Sequence, residues 1–341
     1  MKNKIKLFVS SSPHIKSPDT VTAIMLDVII ALAPAGIVGI AVFGWRAALV
    51  IAVCVASCVF FELASRHILK RPFSLDDLSA VVTGLLLAYN LPVNIPVWMC
   101  VIGSFVAIVV AKQLFGGIGK NFANPAITGR IVLLVSFASA MSSYPLPRTA
   151  AVDAVTTATP LTQLAGVDLV GDVYSQVVDL NGSTLPNLLK MLIGERQGCI
   201  GEVGALALIA GGIYLICRRV IDFRIPLCYI GSVGVIMLIA SHSLYFTCYE
   251  LLSGGLLLGA IFMATDYTTS PVTKKGRVIF GIMCGIITSV IRLYGSLPEG
   301  VSYSILLMNI ACPLIEKISA PHYFGFVKQK KDKKVKEAKA E

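Results

Sequence analysis

The chain has 341 residues, of which 56% are apolar and 14% are charged, and its mean hydropathy is +0.80. A soluble domain of this length cannot bury so much apolar surface in one core, so the composition indicates an integral membrane protein. The net charge of +10 is concentrated in a lysine-rich stretch at 328–339 and in short loops between apolar runs. That distribution is typical of a protein that marks its cytoplasmic side, and it argues against a nucleic-acid partner.

Apolar runs predict an all-α polytopic membrane protein, because a helix needs about 20 apolar residues to cross about 30 Å of hydrocarbon. Eight runs are long, and two shorter ones are rich in Gly and Leu, which gives about ten transmembrane segments. The long runs lie at 21–43, 46–64, 97–115, 125–141, 202–217, 226–246, 278–294 and 301–318, and the short ones at 78–90 and 251–264.

The ten segments fall into two groups of five, with the short segment third in each group. Because five is odd, the second group must enter the membrane from the opposite side, which is typical of an inverted-topology repeat. The predicted domains are a cytoplasmic segment (1–20), a first membrane repeat (21–141), an extracytoplasmic loop (142–200), a second membrane repeat (201–319) and a basic cytoplasmic tail (320–341).

Basic residues give an independent prediction of orientation. If the N-terminus is cytoplasmic, the external loops at 91–96, 241–250 and 295–300 contain no Lys or Arg. The basic residues then fall in the cytoplasmic loops and tail, as the positive-inside rule requires. Both termini are therefore predicted in the cytoplasm, with 142–200 outside the bacterial cytoplasmic membrane.

The first candidate site is a Thr-rich stretch at the start of the external loop. It contains Asp153, Thr156, Thr157, Ala158 and Thr159 and is followed by Pro. From the residues alone, Thr159 predicts the cap of a short helix with proline at its first position. A threonine hydroxyl is a poor nucleophile without activation, so composition does not identify it as reactive.

The second candidate site precedes the fifth apolar run. Gly116 and Gly117 permit a tight turn, and Asn121 and Asn124 lie just before Pro125. The pattern predicts a turn capped by Asn124, with free N–H groups at the helix start. It is not a dinucleotide fingerprint, because no βαβ unit surrounds it.

The third candidate site comprises the two short segments and their neighbours. Asp266 follows the second short segment, and Tyr89 and Asn90 end the first. Asp266 is interpreted either as an interfacial aspartate held in a turn or as part of a polar lining beside a cofactor or ion path.

The nine cysteines show no C-x-x-C spacing. The sequence therefore predicts neither an iron–sulfur cluster nor another metal site within this chain.

These motifs resemble those of one family, the D subunits of Rnf ion-translocating electron-transport complexes, which are related to the B subunits of sodium-pumping NADH:quinone oxidoreductases. Asp153-x-x-Thr156-x-Ala158-Thr159 is similar to the flavinylation motif D-x-x-[ST]-G-A-T and departs from it at Thr157, where Gly is usual. The stretch 116–126 resembles the family signature G-G-x-G-x-N-x-x-N-P-A. The resemblance covers nearly the whole chain up to the basic tail.

The resemblance implies a urea-channel-like fold and a subunit of an ion-translocating ferredoxin:NAD oxidoreductase. A flavin transferase would attach FMN covalently to Thr159 as a phosphoester, and electron flow would be coupled to Na+ or H+ transport. It allows a second, non-covalent flavin such as riboflavin. The implied partners are the other Rnf subunits, including a second subunit with covalent FMN and iron–sulfur subunits, together with membrane lipid.

Two other classes of function stay open. Composition and spacing alone favour a secondary transporter or channel of urea-channel-like fold without a redox role. A purely structural scaffold for partner subunits would insert into the membrane and carry no flavin.

Overall fold

The computed structural model describes residues 20–71, 75–145, 147, 159–165, 167, 171, 173–183, 185–295 and 299–321. Within these ranges the secondary structure is helical and contains no β-strand, which confirms the all-α prediction. The α-helices are α1 (Val21–Phe43), α2 (Trp45–Ile68), α3 (Ser79–Tyr89), α4 (Val97–Phe105), α5 (Pro125–Ser136), α6 (Ala138–Met141), α7 (Pro160–Leu164), α8 (Val173–Ser183), α9 (Leu188–Ile193), α10 (Ala205–Cys217), α11 (Arg224–Ser241), α12 (Leu244–Leu252), α13 (Leu256–Leu258), α14 (Lys274–Tyr294) and α15 (Val301–Ser319).

Two α-helices continue as π-helices. Val106–Gln113 extends α4, and Gly259–Met263 extends α13. Hydropathy does not distinguish the wider π turn from the α turn, so the sequence did not indicate either one. Inserted π turns occur frequently at functional sites.

Five helices in the described residues, α1, α2, α11, α14 and α15, are long and apolar enough to cross a membrane. A sixth candidate span consists of α12 followed by α13 and its π extension, with a bend of 65° between them. Helix α3, α4 with its extension, α5 and α10 are apolar but shorter. The protein is therefore a multi-pass membrane protein.

Two of the predicted runs are divided in the structure. Helix α5 ends at Ser136, because Phe137 adopts φ −133° and ψ 51°, and α6 follows. The run 226–246 divides where His242, at φ +50°, ends α11 and Ser243 caps α12. Apolar composition continues through the first break, so hydropathy alone predicted one span there. The second break lies at the polar residues Ser241, His242 and Ser243, and most of the predicted external loop at 241–250 is helix α12.

Helices from the two halves of the chain pack directly against one another. Helix α1 packs on α10, and α5 packs on α15. The approach of α1 to α10 depends on Gly211, where a Cβ would lie 2.3 Å from the carbonyl oxygen of Ala31. Small residues at helix contacts allow this proximity inside a membrane. The candidate sites lie along this junction between the halves.

Candidate functional site

An open cleft lies between the two halves. Its walls come from α1, α3, the π extension of α4, the turn before α5, the end of α10 and the segment after the π extension of α13. Asn121, Asn124 and Asp266 all line it. The structure therefore unites two candidate sites that are far apart in sequence.

Asn124 joins the two halves at the base of the cleft. Its Oδ1 accepts from the backbone N–H groups of Ala126 (3.0 Å) and Ile127 (3.4 Å), which confirms the predicted cap of α5. Its Nδ2 donates to the carbonyl oxygen of Met263 (3.3 Å), at the end of the π extension of α13. One buried amide thus satisfies a helix start and a helix end from different halves.

The glycines before this cap confirm the predicted tight turn. Gly116 has φ +125° and Gly117 has φ +95°, a region that residues with a Cβ avoid. Neither glycine lines the cleft; they direct the chain towards Asn121. The Oδ1 atom of Asn121 is buried without a hydrogen-bond partner. It is therefore a free acceptor at the cleft wall.

Asp266 is held in a turn. Its carboxylate accepts from the backbone N–H of Thr268 (3.2 Å), the hydroxyl of Thr268 (2.9 Å) and the hydroxyl of Thr269 (3.4 Å). Burial raises the pKa of Asp266 above its ordinary value, while these hydrogen bonds favour the ionised form. The two interpretations of Asp266 are compatible, since the residue is both bonded in a turn and part of the cleft lining.

Lys112, in the π extension of α4, also reaches the cleft. Its ammonium group lies 2.6 Å from Glu62 Oε2 and 2.6 Å from Ser79 Oγ. Glu62 also accepts from Arg66 (3.1 Å) and from Gln113 (2.9 Å). Lys112 and Glu62 are each at most 2% exposed. A buried charge inside apolar helices is stable only when it is paired in this way.

Thr159 begins α7, as predicted, and Pro160 occupies the first helical position. The Oγ1 atom of Thr159 accepts from the backbone N–H of Thr162 (3.3 Å) and lies 2.8 Å from the hydroxyl of Thr162. The residue is 9% exposed. Asp153, Thr156 and Ala158 of the same motif lie outside the described residues.

Helix α7 packs against the break between α12 and α13. A Cβ on Gly254, within the break, would lie 2.9 Å from Leu161 Cδ2 and 3.2 Å from Arg292 Nη2. From the break, the eight residues of α13 and its π extension lead to the cleft, a rise of about 12 Å at 1.5 Å per residue. Thr159 and the cleft therefore lie towards opposite ends of one short helix.

The residues near this break form a buried ion network that the motifs did not indicate. Arg130, from α5, bonds Glu299 and also donates to the hydroxyl of Ser302 (2.5 Å). Its guanidinium lies 4.0 Å from Glu202. Arg196 donates to the carbonyl oxygens of Leu252 and Glu202.

A carboxylate oxygen of Glu202, one of Glu299 and the thiol of Cys199 lie within 4.8 Å of one another. The two guanidiniums beside them disfavour a metal cation, so we assign no metal to this cluster. A signal was available in the sequence, because charged residues inside or next to apolar runs are costly unless they are paired.

The chain is similar to known proteins along almost its whole length. A family model described as NQR2, RnfD, RnfE family matches residues 8–325. The D subunit of the Na(+)-translocating ferredoxin:NAD(+) oxidoreductase complex of Acetobacterium woodii is 46% identical over 335 residues, which cover 97% of this chain and 99% of the relative.

Two further relatives are similar over most of their length. The D subunit of the proton-translocating ferredoxin:NAD(+) oxidoreductase complex of Clostridium ljungdahlii is 43% identical, covering 93% of this chain and 96% of the relative. The D subunit of the ion-translocating oxidoreductase complex of Stutzerimonas stutzeri is 37% identical, covering 90% and 92%. The resemblance inferred from the motifs is confirmed, and the chain belongs to the NQR2, RnfD, RnfE family.

Proposed function

We propose that this chain is the flavin-carrying membrane subunit of an ion-translocating ferredoxin:NAD oxidoreductase complex. It would carry FMN covalently on Thr159 and relay electrons between partner subunits while Na+ or H+ crosses the bacterial cytoplasmic membrane. Similarity along almost the whole chain to D subunits of such complexes supports this assignment. The observation that carries it is the position of Thr159 on a helix seated against the break between α12 and α13.

The local structure is compatible with a phosphoester at Thr159. The hydroxyl of Thr159 accepts one hydrogen bond from the backbone, from the N–H of Thr162, and that bond is long at 3.3 Å. Release of a capping hydroxyl costs about 0.5–2 kcal/mol, a small part of the stability of a domain. A transferase could therefore reach the hydroxyl by opening α7 locally. The bound FMN would supply one- and two-electron redox chemistry.

The cleft is our candidate for a second, non-covalent flavin such as riboflavin. Leu86 and Phe262 supply apolar surface, and Asn121 Oδ1 offers an unpartnered acceptor to a ring N–H. Asn121 would orient such a ring, and the Lys112–Glu62 pair would keep charge fixed at its edge.

The proposed orientation places these two features on opposite sides of the membrane. Residues 142–200, including Thr159, would lie outside, and the cleft, whose lining includes Ile118 and Val220, would open towards the cytoplasm. Direct packing of α1 on α10 and of α5 on α15 supports the proposed ten-segment, inverted-repeat, urea-channel-like architecture. In that architecture each pair consists of equivalent segments from the two repeats.

Partner subunits complete the proposed function. A flavin on the outer face cannot contact cytoplasmic ferredoxin, so further carriers are required. We assign these to the other Rnf subunits, which include a second subunit with covalent FMN and iron–sulfur subunits. A separate flavin transferase would act on the external segment.

The test replaces Thr159 with Ala and compares it with Thr162→Ala. Both variants remove the contact between the two hydroxyls, but only Thr159→Ala removes the proposed acceptor. We expect flavin fluorescence of the denatured band to disappear in Thr159→Ala and to remain in Thr162→Ala, with membrane insertion unchanged in both. Peptide mass spectrometry of the native protein should place the added FMN mass on Thr159.

Other outcomes distinguish the alternatives. Mapping of FMN to Thr156 would correct the residue and keep the function. A native, fully inserted protein without covalent flavin would favour a transporter or a scaffold instead.

A further inference from the structure

The ion network beside the break between α12 and α13 contains a carboxylate that forms no hydrogen bond with a basic side chain. Glu202, in the turn before α10, is 3% exposed. Its Oε2 accepts from the backbone N–H of Cys199 (3.3 Å). Its Oε1 is buried without a hydrogen-bond partner, and the nearest basic group, Arg130 Nη2, lies 4.0 Å away.

We propose that Glu202 is a proton-binding site, which binds one exchangeable proton between the two halves of the protein. Family membership and the flavin assignment do not enter this inference, so it stands or fails independently of Thr159. The ligand is a proton because Glu202 offers a buried oxygen without a hydrogen-bond partner, and a second carboxylate lies within 4.8 Å of it.

The surrounding charges explain this preference. The guanidinium of Arg130, from α5, bonds Glu299 and Ser302. The guanidinium of Arg196, from the loop before α10, donates to two carbonyl oxygens. Neither guanidinium forms a hydrogen bond with the carboxylate of Glu202. Desolvation therefore acts on this group with little direct compensation.

A second carboxylate adds repulsion. An oxygen of Glu299 lies within 4.8 Å of one of Glu202, and two ionised carboxylates at that distance favour protonation of one of them. Cys199 and Tyr144 are the other titratable groups that face this network. Burial first, and then the Glu299 charge, raise the pKa of Glu202 to about 7.

The backbone packs closely around this carboxylate. A Cβ on Gly255 would lie 3.2 Å from Glu202 Oε1, 3.9 Å from Arg130 Nη1 and 3.9 Å from Asn90 Oδ1, so only a glycine fits beside these three groups without displacing them. The carboxyl of Glu299 is 16% exposed. It therefore connects the network to the surface at the end of the bundle where α15 begins.

Protonation would change the charge of the network. Two carboxylates (Glu202, Glu299) and two guanidiniums (Arg130, Arg196) sum to zero when all are ionised. With a proton on Glu202 the sum is +1. This change would occur beside the break between α12 and α13, where the two halves of the protein meet.

Infrared spectroscopy of the purified full-length protein tests the proposal. The carbonyl stretch of a protonated carboxyl should appear as the pH is lowered through about 7, and it should shift in D₂O because the proton exchanges. Glu202→Gln keeps the shape of the side chain and should abolish this band. Glu299→Gln should retain the band with a lower midpoint, because one neighbouring negative charge is removed. Glu316→Gln, outside the network, should leave the band unchanged.

Three results would overturn the proposal. The wild-type protein could show no carboxyl band that titrates near neutral pH, a result that needs no variant. The band could survive in Glu202→Gln and vanish in Glu299→Gln, which would place the proton on Glu299. Added Na+ could remove the band at constant pH, which would make the site a metal-cation site.

Discussion

At the scale of single residues, Asp266 combines a local structural role with a position in the cleft. The carboxylate accepts three hydrogen bonds from Thr268 and Thr269, so it organises its own turn. It also faces the same cleft as Asn121 and Asn124. An ionised group near the membrane interface costs less than the roughly 2.5–3.5 kcal/mol of the bilayer centre, but it still costs free energy.

We predict that the charge of Asp266 supports transport more than it supports folding. Asp266→Asn keeps an acceptor for the turn and should leave the complex assembled, with ion uptake by vesicles slowed several-fold. Thr268→Val is the matched control, because it removes a hydrogen bond to the carboxylate and keeps the charge. Equal losses in the two variants, or normal uptake in Asp266→Asn, would reduce Asp266 to a turn residue.

At the scale of elements, the π extension of α4 contains Lys112, which meets Glu62 of α2 and Ser79 of α3. Glu62 is the acid bonded to both Lys112 and Arg66 in the described part of the chain. Removal of a basic residue and removal of the acid therefore have different effects on the network. Loss of Lys112 leaves Glu62 paired with Arg66. Loss of the carboxylate leaves the buried ammonium of Lys112 without an acidic partner, whereas Arg66 keeps Asp77 at 3.9 Å.

This difference predicts an order of stability. Glu62→Gln should lower the free energy of unfolding by about 3–5 kcal/mol, the usual effect of leaving a buried charge unpaired. Lys112→Met should cost clearly less. Thermal unfolding of the purified protein in detergent measures both. If Lys112→Met were the more damaging change, Lys112 would have a role beyond balancing Glu62.

The sequence predicted some elements well because their signals are local. The cap of α5 by Asn124 and the start of α7 at Thr159 each depend on a side chain and the proline that follows it. The π extensions could not be predicted from apolar periodicity, because the π turn and the α turn have the same composition. The end of α11 lies among the polar residues Ser241, His242 and Ser243, although the predicted run 226–246 continued past them. Helix caps could be predicted from neighbouring residues, whereas backbone turns within apolar runs could not.

At the scale of the whole molecule, the same distinction applies to the candidate sites. Asn124 and Asp266 were each singled out by sequence, yet their shared cleft depends on the packing of the two halves. The network of Arg130, Glu202 and Glu299 was not predicted, because its members come from distant parts of the chain. A single sequence shows which charged residues lie within apolar runs and are therefore costly to bury. It does not show which distant residue pairs with each of them.

Membrane orientation is the whole-molecule prediction on which the external position of Thr159 depends. With both termini cytoplasmic, Ser175 of α8 lies outside, and it is exposed in the structure. An engineered cysteine there should react with a membrane-impermeant thiol reagent in intact cells. Lys334→Cys, in the basic tail, should react only after lysis. Cys217 is an exposed native thiol and should be replaced by Ser in both proteins to remove its signal. Labelling of Lys334→Cys before lysis would reverse the orientation. Thr159 would then lie on the cytoplasmic side, even if it carried FMN.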